Sequence, residues 1–216
     1  MTPNKEDYLK CIYEIGTEMQ KITNKEIAAR MQVSPPAVTE MIKRMKSENL
    51  ILKDKENGYL LTDIGLKLVS ELYRKHRLIE VFLVHHLDYT SDQIHEEAEV
   101  LEHTVSDLFV KRLDKLLGFP QTCPHGGTIP AEGELLVEIN NLPLAAVQEA
   151  GTYLLTRVHD SFELLKYLEK HAIHIGDQLQ VKQFDNFSNT FTLLNKSEDL
   201  QVSIDIAKQL YVEKIN

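Results

Sequence analysis

Three local signals between residues 23 and 58 restrict what the first third of this chain can fold into. Thr23-Asn-Lys-Glu26 has the spacing of a capping box, so it opens a helix over residues 25–31. Ser34-Pro-Pro36 offers a hydroxyl cap followed by proline, whose missing N–H costs nothing in a first helical turn. That pattern starts a helix reaching about residue 48. Asn57-Gly58 stands between the apolar runs Leu50-Ile-Leu52 and Tyr59-Leu-Leu61, and both residues tolerate the positive φ of a tight hairpin. An earlier helix, capped by Asn4 and running to about Met19, places Tyr8, Cys11, Ile12 and Ile15 on one face. Helix, helix, turn, helix and hairpin is the order of a winged helix-turn-helix, whose third helix enters the DNA major groove.

The remainder divides by pattern. Two long helices are expected, residues 63–86 and 91–117, the second ending at Gly118. Both exceed what a DNA-binding module needs, so each should bury a face against the other or a second subunit. Residues 119–144 hold Pro120, Pro124, Pro130, Pro143 and the pair Gly126-Gly127, which marks an irregular connection. From residue 145 the pattern turns β-rich, with strands at 153–158, 177–184, 190–194, 200–204 and 210–215 around a helix at 162–171. The expected class is mainly α with a small β domain, the β part a small barrel. Three domains are expected: 1–62, 63–140 and 145–216.

Charge narrows the partners. The net charge of −9 is split unevenly: residues 1–75 sum to +2, residues 76–144 to −8 and residues 145–216 to −3. Only the first part can approach DNA without a penalty, and the middle part suits cations. Two cysteines are too few for a disulfide framework and fit a reducing compartment. No run approaches the ~20 apolar residues of a membrane span, nor does the N-terminus carry a signal-peptide core. The expected setting is therefore the cytoplasm, with no membrane partner.

Within the acidic middle, His95, Glu99, Glu102 and His103 share one helix face, while Glu96 and Glu97 do not. Two carboxylates and imidazoles on a face that also carries apolar residues waste their burial unless a cation sits among them. A solvated acidic face is the competing reading.

The segments Glu6-Asp-Tyr-Leu9, Ile12-Tyr13, Ile27-Ala28, Val33-Ser34, Arg74-Lys-His76-Arg-Leu78, Glu80 and Glu99-Val-Leu-Glu102-His103 resemble the metal-dependent repressor family. That family includes the diphtheria toxin repressor, the iron-dependent regulators and the manganese transport regulators. The likeness covers the whole chain and is strongest to the streptococcal manganese repressors. It implies an N-terminal winged helix, a helical dimerisation domain and a C-terminal SH3-like (FeoA-like) domain. It also implies a non-enzymatic, manganese-dependent repressor that binds palindromic operator DNA as a metal-activated homodimer and controls metal-uptake genes.

Carried over residue by residue, the resemblance implies a primary metal site of Asp7, Glu99, Glu102 and His103. Three carboxylates and one imidazole form a hard, oxygen-rich set that suits Mn²⁺. The manganese regulators carry a further carboxylate where this chain has Lys10, so their paired-ion site does not transfer whole. A second site draws on His76 and Glu80, four apart on one helix, with Cys123 and His125 from the following loop and Asp160 from the last domain. Its soft sulfur admits Zn²⁺, Fe²⁺ or Cd²⁺ besides Mn²⁺. His95 in place of His76, and Glu163 in place of Asp160, stay open.

For DNA, Ser34, Pro35, Pro36, Thr39 and Glu40 are the groove-facing candidates, with Lys43, Arg44, Lys53 and Lys55 as phosphate contacts. A solvated basic face is the plain alternative for any single lysine. The expected switch is a clamp. Without metal the carboxylates repel and the first helix moves; with metal it is tied to the dimer core, and the recognition helices gain major-groove spacing. A full reversal needs ~5.5 kcal/mol of differential binding, and one site at about 100 times its Kd supplies ~2.7 kcal/mol, so two sites suffice. Two rivals remain: a metalloenzyme, which requires a substrate-sized cleft with an open metal position, and a regulator sensing an organic ligand, which would bind no metal stoichiometrically.

Overall fold

A computed structural model describes residues 3–18, 21–90, 93–139, 142–196 and 198–215. The chain forms two compact units. The first is Met1–His76 with Pro130–Leu136, and the second is Arg77–Ile129 with Val137–Asn216.

The first unit opens with helices α1 (Pro3–Thr17), α2 (Asn24–Met31) and α3 (Pro35–Ser47). The expected extension of α1 to Met19 lies outside the described residues. Thr23 Oγ1 accepts the Glu26 amide and Ser34 Oγ the Ala37 amide, so both caps form as their hydroxyls suggested. Gln32 takes a left-handed conformation (φ 54°) that turns α2 into α3. Leu9, Ile12, Ile15, Ile27, Val38 and Met45 form the centre of the core.

Strands β1 (Ile51–Asp54) and β2 (Gly58–Leu61) form the hairpin, but the turn differs from the expected one. Asp54 pairs with Gly58, leaving Lys55, Glu56 and Asn57 in the loop. The Asp54 carboxylate accepts the amides of Glu56 and Asn57, which stabilises the longer turn. Gly58 is needed for space: a Cβ there would lie 1.9 Å from the Ile22 carbonyl oxygen, which accepts the Tyr59 amide.

Helix α4 (Asp63–Leu87) is continuous across the boundary between the units. In the second unit, the helix expected over 91–117 is two helices, α5 (Ile94–Glu102) and α6 (Asp107–Leu116); Ser91 itself lies outside the described residues. Ser106 Oγ accepts the Phe109 amide and caps α6, so a cap signal inside an apolar-periodic run divides it. Leu78, Ile79, Leu83, Ile94, Ala98, Val110, Leu113, Cys123 and Ile129 pack together around these helices.

The remainder is an antiparallel sheet of β3 (Gly151–Val158), β4 (Gln178–Asp185), β5 (Thr190–Asn195), β6 (Glu198–Ser203) and β7 (Leu210–Ile215). Its order is β6-β5-β4-β3-β7. Helix α7 (Phe162–Lys170) follows β3, and a single turn, α8 (Ile204–Ala207), follows β6 and takes only the last residue of the strand expected over 200–204. Ser203 caps that turn by accepting the Ile206 amide. Leu155, Leu179, Phe191, Leu193, Val202 and Leu210 fill the sheet's buried side. No described helix is long and apolar enough to cross a membrane.

Candidate metal centre

Helix α4 delivers Glu80 fully buried, at 0 % exposure. A carboxylate removed from water needs a compensating cation or proton, which makes Glu80 the first residue to explain. Its neighbours come from three other segments of the second unit. The loop after α6 makes a tight turn in which the Cys123 carbonyl accepts the Gly126 amide and the Cys123 amide reaches the Gly127 carbonyl. Pro124 at the second position of that turn suits its geometry, and the turn directs Cys123 and His125 inward.

The loop is then fixed to β3. Val158 donates its amide to the His125 carbonyl at 3.0 Å. Gly126 has φ +79°, and a Cβ there would stand 2.0 Å from the Thr156 carbonyl oxygen, so only glycine permits this approach. Two residues beyond Val158, Asp160 joins the same cluster, as does His95 from the first turn of α5.

His125 Nδ1 lies 3.2 Å from Glu80 Oε1 and 3.1 Å from Asp160 Oδ1. His95 Nδ1 lies 3.0 Å from the same Asp160 oxygen. His95 Nδ1, His125 Nδ1 and Asp160 Oδ1 are all buried atoms. Ligand atoms of Glu80, Cys123 and His125 fall within 4.8 Å of one another, and so do those of Glu80, His95 and Asp160 with His76, one turn before Glu80 on α4. Two overlapping donor sets therefore share Glu80. One contains sulfur; the other offers only nitrogen and oxygen.

Electrostatics agree with the chemistry of a cation site. Burial works against charging His125, but the Asp160 and Glu80 carboxylates outweigh it and raise its pKa well above the usual imidazole value. Burial, and then Glu80, push the Cys123 thiol up. A proton on His125 thus meets the negative charge that a divalent cation would otherwise neutralise. Oxygen, nitrogen and sulfur donors of this kind fit a borderline divalent ion such as Zn²⁺ or Fe²⁺, and the sulfur-free set suits a harder one.

The other predicted ligands are placed as follows. Glu99 and Glu102 lie on α5, with His103 as its C-cap. Glu102 is 2 % exposed, and its Oε1 is 3.5 Å from His103 Nε2. Glu99 is exposed and lies 3.6 Å from His95 Nε2. Asp7 is half-buried on α1 in the first unit, where the Lys10 ammonium stands over the Tyr73 ring at 5.7 Å. Glu163, the open alternative to Asp160, is exposed on α7 and falls in neither donor group.

On α3, Val38, Ile42 and Met45 are buried, which leaves Ser34, Pro35, Pro36, Thr39, Glu40, Lys43 and Arg44 exposed. Lys53 and Lys55 are exposed on the hairpin. Thr39 Oγ1 donates to the Pro35 carbonyl and accepts from Asn24 Nδ2, so its hydroxyl already braces α2 against α3. Glu40 accepts a 2.5 Å bond from Arg44 on the same face.

Comparison with known proteins decides the lineage. Residues 1–59 match the N-terminal DNA-binding domain of the iron-dependent repressors, residues 62–131 their metal-binding and dimerisation domain, and residues 142–214 the FeoA domain. The structure of ScaR with bound Zn²⁺ is 63 % identical, with a TM-score of 0.94 over 98 % of this chain and 99 % of that one. The chain belongs to the iron-dependent repressor family. Another structure, that of the manganese regulator SloR, is 59 % identical with a TM-score of 0.91 and covers 100 % of both chains. The diphtheria toxin repressor of Corynebacterium diphtheriae is 27 % identical over 221 residues, 97 % of this chain and 96 % of that protein. As a family member the chain has a DNA-binding domain and a metal-binding dimerisation domain, and its SH3-like domain corresponds to the FeoA match.

Sequence reasoning missed the supports of this site. Arg77 is buried beside the loop, donating to the Thr128 carbonyl and to Glu138. A Cβ on Gly127 would meet the Arg77 guanidinium at 2.7 Å. The adjacent glycines were a visible signal of close backbone approach, whereas nothing local distinguished Arg77 or Glu138 from surface charges.

Proposed function

We propose that the chain is a manganese-responsive transcriptional repressor that binds palindromic operator DNA as a homodimer and controls manganese-uptake genes in the cytoplasm. The observation that carries this reading is the buried convergence of Glu80, His125 and Asp160, joined by Cys123, in a chain whose N-terminal unit is a winged helix-turn-helix. Glu80, Cys123, His125 and Asp160 would hold one divalent ion, with His76 and His95 beside them; Asp7, Glu99, Glu102 and His103 would hold another. Bound there, a divalent ion supplies the positive charge that these carboxylates lack. Mn²⁺ is the proposed regulator, supported by the oxygen-rich Asp7 set and by the 63 % identity to a repressor described as manganese-activated. Zn²⁺, Fe²⁺ or Cd²⁺ is accommodated by Cys123.

The residues of the chain do the rest. Neutralising the carboxylates of the second unit removes the repulsion that opposes one fixed arrangement, and Asp7 ties α1 to it. The N-terminal end of α3 then reads the groove through Ser34, Pro35 and Pro36, with Thr39 and Glu40 behind them, while Lys43, Arg44, Lys53 and Lys55 hold phosphates. The domains proposed are residues 1–62, 63–140 and 145–216. DNA binding to a manganese-transporter promoter across a Mn²⁺ titration tests the whole reading. Expected are metal-dependent binding by the wild type and loss of that dependence in Glu80→Ala, Asp7→Ala and Glu102→Ala. Metal-independent binding by the wild type, or unaltered metal dependence in all three variants, overturns it.

A further inference from the structure

Each end of α1 is fastened to the helix-turn-helix by an ion pair. At its start, Lys5 Nζ donates to both carboxylate oxygens of Glu48, the C-cap of α3, at 2.7 and 2.6 Å. Past its far end, Arg30 of α2 donates to both oxygens of Glu18 at 2.8 and 2.7 Å. Packing joins α1 to α2 and β2, and α3 to α2 and β1. The Lys5–Glu48 pair adds a direct tie between α1 and α3. All these residues belong to the first unit. We infer that this pair carries metal engagement at Asp7 to the recognition helix α3, as a positioning pair that is itself neither ligand nor groove residue.

Local helix electrostatics account for neither charge. Lys5 lies in the first turn of α1, where the exposed N–H groups favour an anion. Glu48 lies at the C-terminal end of α3, where the free carbonyls favour a cation. Each charge stands at the unfavourable end of its own helix and is compensated by the other. The Lys5 side chain is 17 % exposed and that of Glu48 46 %, so water screens the pair only in part. Position decides what the pair does. At 1.5 Å per residue, Asp7 lies about 3 Å along the helix axis from Lys5 and about 16 Å from Glu18. A bond that holds Asp7 therefore also holds the turn that carries Lys5, and through it the end of α3. Val38, Ile42 and Met45 seat α3 in the core, and a fixed C-terminal end resists tilting about that seat. The N-terminal end is then presented to the groove at one angle. The Arg30–Glu18 pair braces the same helices from the end remote from Asp7.

This inference rests on the assignment of Asp7 proposed above, and its test separates the two. The quantity read is the affinity of the full chain for a manganese-transporter promoter fragment with saturating Mn²⁺, divided by that without it. A substitution that changes DNA affinity equally in both states cancels in this ratio. The variants are Lys5→Met, which keeps the aliphatic stem, Glu48→Gln, the two combined, and Arg30→Gln. Mn²⁺ uptake, followed by loss of the free-ion EPR signal, should match the wild type in all four. The ratio should fall about two- to fivefold in each of the first two, the upper part of what a partly exposed ion pair contributes. It should fall no further in the combined variant, because the two residues act as a unit. Arg30→Gln should keep the wild-type ratio. An unchanged ratio in either single variant of the pair, losses that multiply in the combined one, or an equal loss in Arg30→Gln overturns the inference. Reduced Mn²⁺ uptake in Lys5→Met or Glu48→Gln overturns it too, since the pair would then support the ligands instead. A wild-type ratio of one overturns the metal-dependent repressor itself, and a full ratio in Asp7→Ala overturns the ligand assignment; either result removes this route as well.

Discussion

Arg77 Nη2 donates to Glu138 Oε1 at 2.6 Å, and both side chains are largely buried. Glu138 Oε2 accepts the Thr128 amide as well, so the pair fastens the end of the Cys123–His125 loop to the segment that leads toward the sheet. Removing one partner leaves the other charge buried and uncompensated. Glu138→Ala should therefore cost about 3–5 kcal/mol in chemical denaturation.

The same pair sets an acid limit. Burial raises the Glu138 pKa, but Arg77 and the Thr128 amide outweigh it and hold the carboxyl below its usual range. A depressed folded pKa contributes stability that is fully present above the unfolded value of about 4.3 and is lost as pH falls through the folded pKa. The stability gap between wild type and Glu138→Gln should be constant near neutrality and shrink on acidification below about pH 4.5. A gap that widens on acidification would contradict the pairing.

Two glycines with positive φ should answer differently to alanine. At Gly118 (φ +74°) nothing lies within 4 Å of the added Cβ, so Gly118→Ala should cost only the left-handed strain, about 1–2 kcal/mol. At Gly126 the same strain is joined by a collision with the Thr156 carbonyl. Gly126→Ala should therefore destabilise clearly more in thermal melts, and should weaken metal binding at Cys123 and His125 where Gly118→Ala does not.

Replacing sulfur by oxygen should shift metal preference. In Cys123→Ser, affinity for Zn²⁺ and Cd²⁺ should fall at least ~10-fold more than affinity for Mn²⁺, because the soft ligand favours the softer ions. Competition titrations with a chromophoric chelator measure this. Equal losses for all three ions would remove Cys123 from the ligand set.

Lys43 is exposed on the same helix as the proposed groove residues. If it holds a phosphate, Lys43→Ala should weaken operator and non-operator DNA alike and reduce the salt slope by about 1. An unchanged slope returns it to the solvated basic face.

Thiol labelling offers an independent check of burial. Burial, and then Glu14, push the Cys11 thiol up to about 12, far from thiolate formation at neutral pH. Native protein at pH 8 should leave Cys11 essentially unalkylated, whereas denatured protein should label at both cysteines. Rapid native labelling of Cys11 would argue that α1 opens readily.

Much of the architecture was legible because its signals are short-range. Hydroxyl caps at Thr23 and Ser34, and apolar periodicity along α4, act within a few residues, so composition and spacing suffice to read them. The hairpin was legible in kind but not in register: Asp54 and the approach of Ile22 to Gly58 decided the turn, and neither belongs to the Asn-Gly pair. The break at Ser106 was a local signal subordinated to an apolar period that continued through it.

The sequence by itself determined the elements, the acidic middle and the types of side chain available to a cation. Resemblance narrowed the ligand residues but left His76 against His95, and Asp160 against Glu163, undecided. Only the tertiary structure brought Glu80, Cys123, His125 and Asp160 together with both His76 and His95, from four segments spanning some eighty residues. It also revealed the glycine pair and the Arg77–Glu138 pair that hold the loop in place. The reason is physical. Capping and periodicity depend on neighbours along the chain, whereas a ligand set depends on burial and distance between segments, which no local pattern encodes.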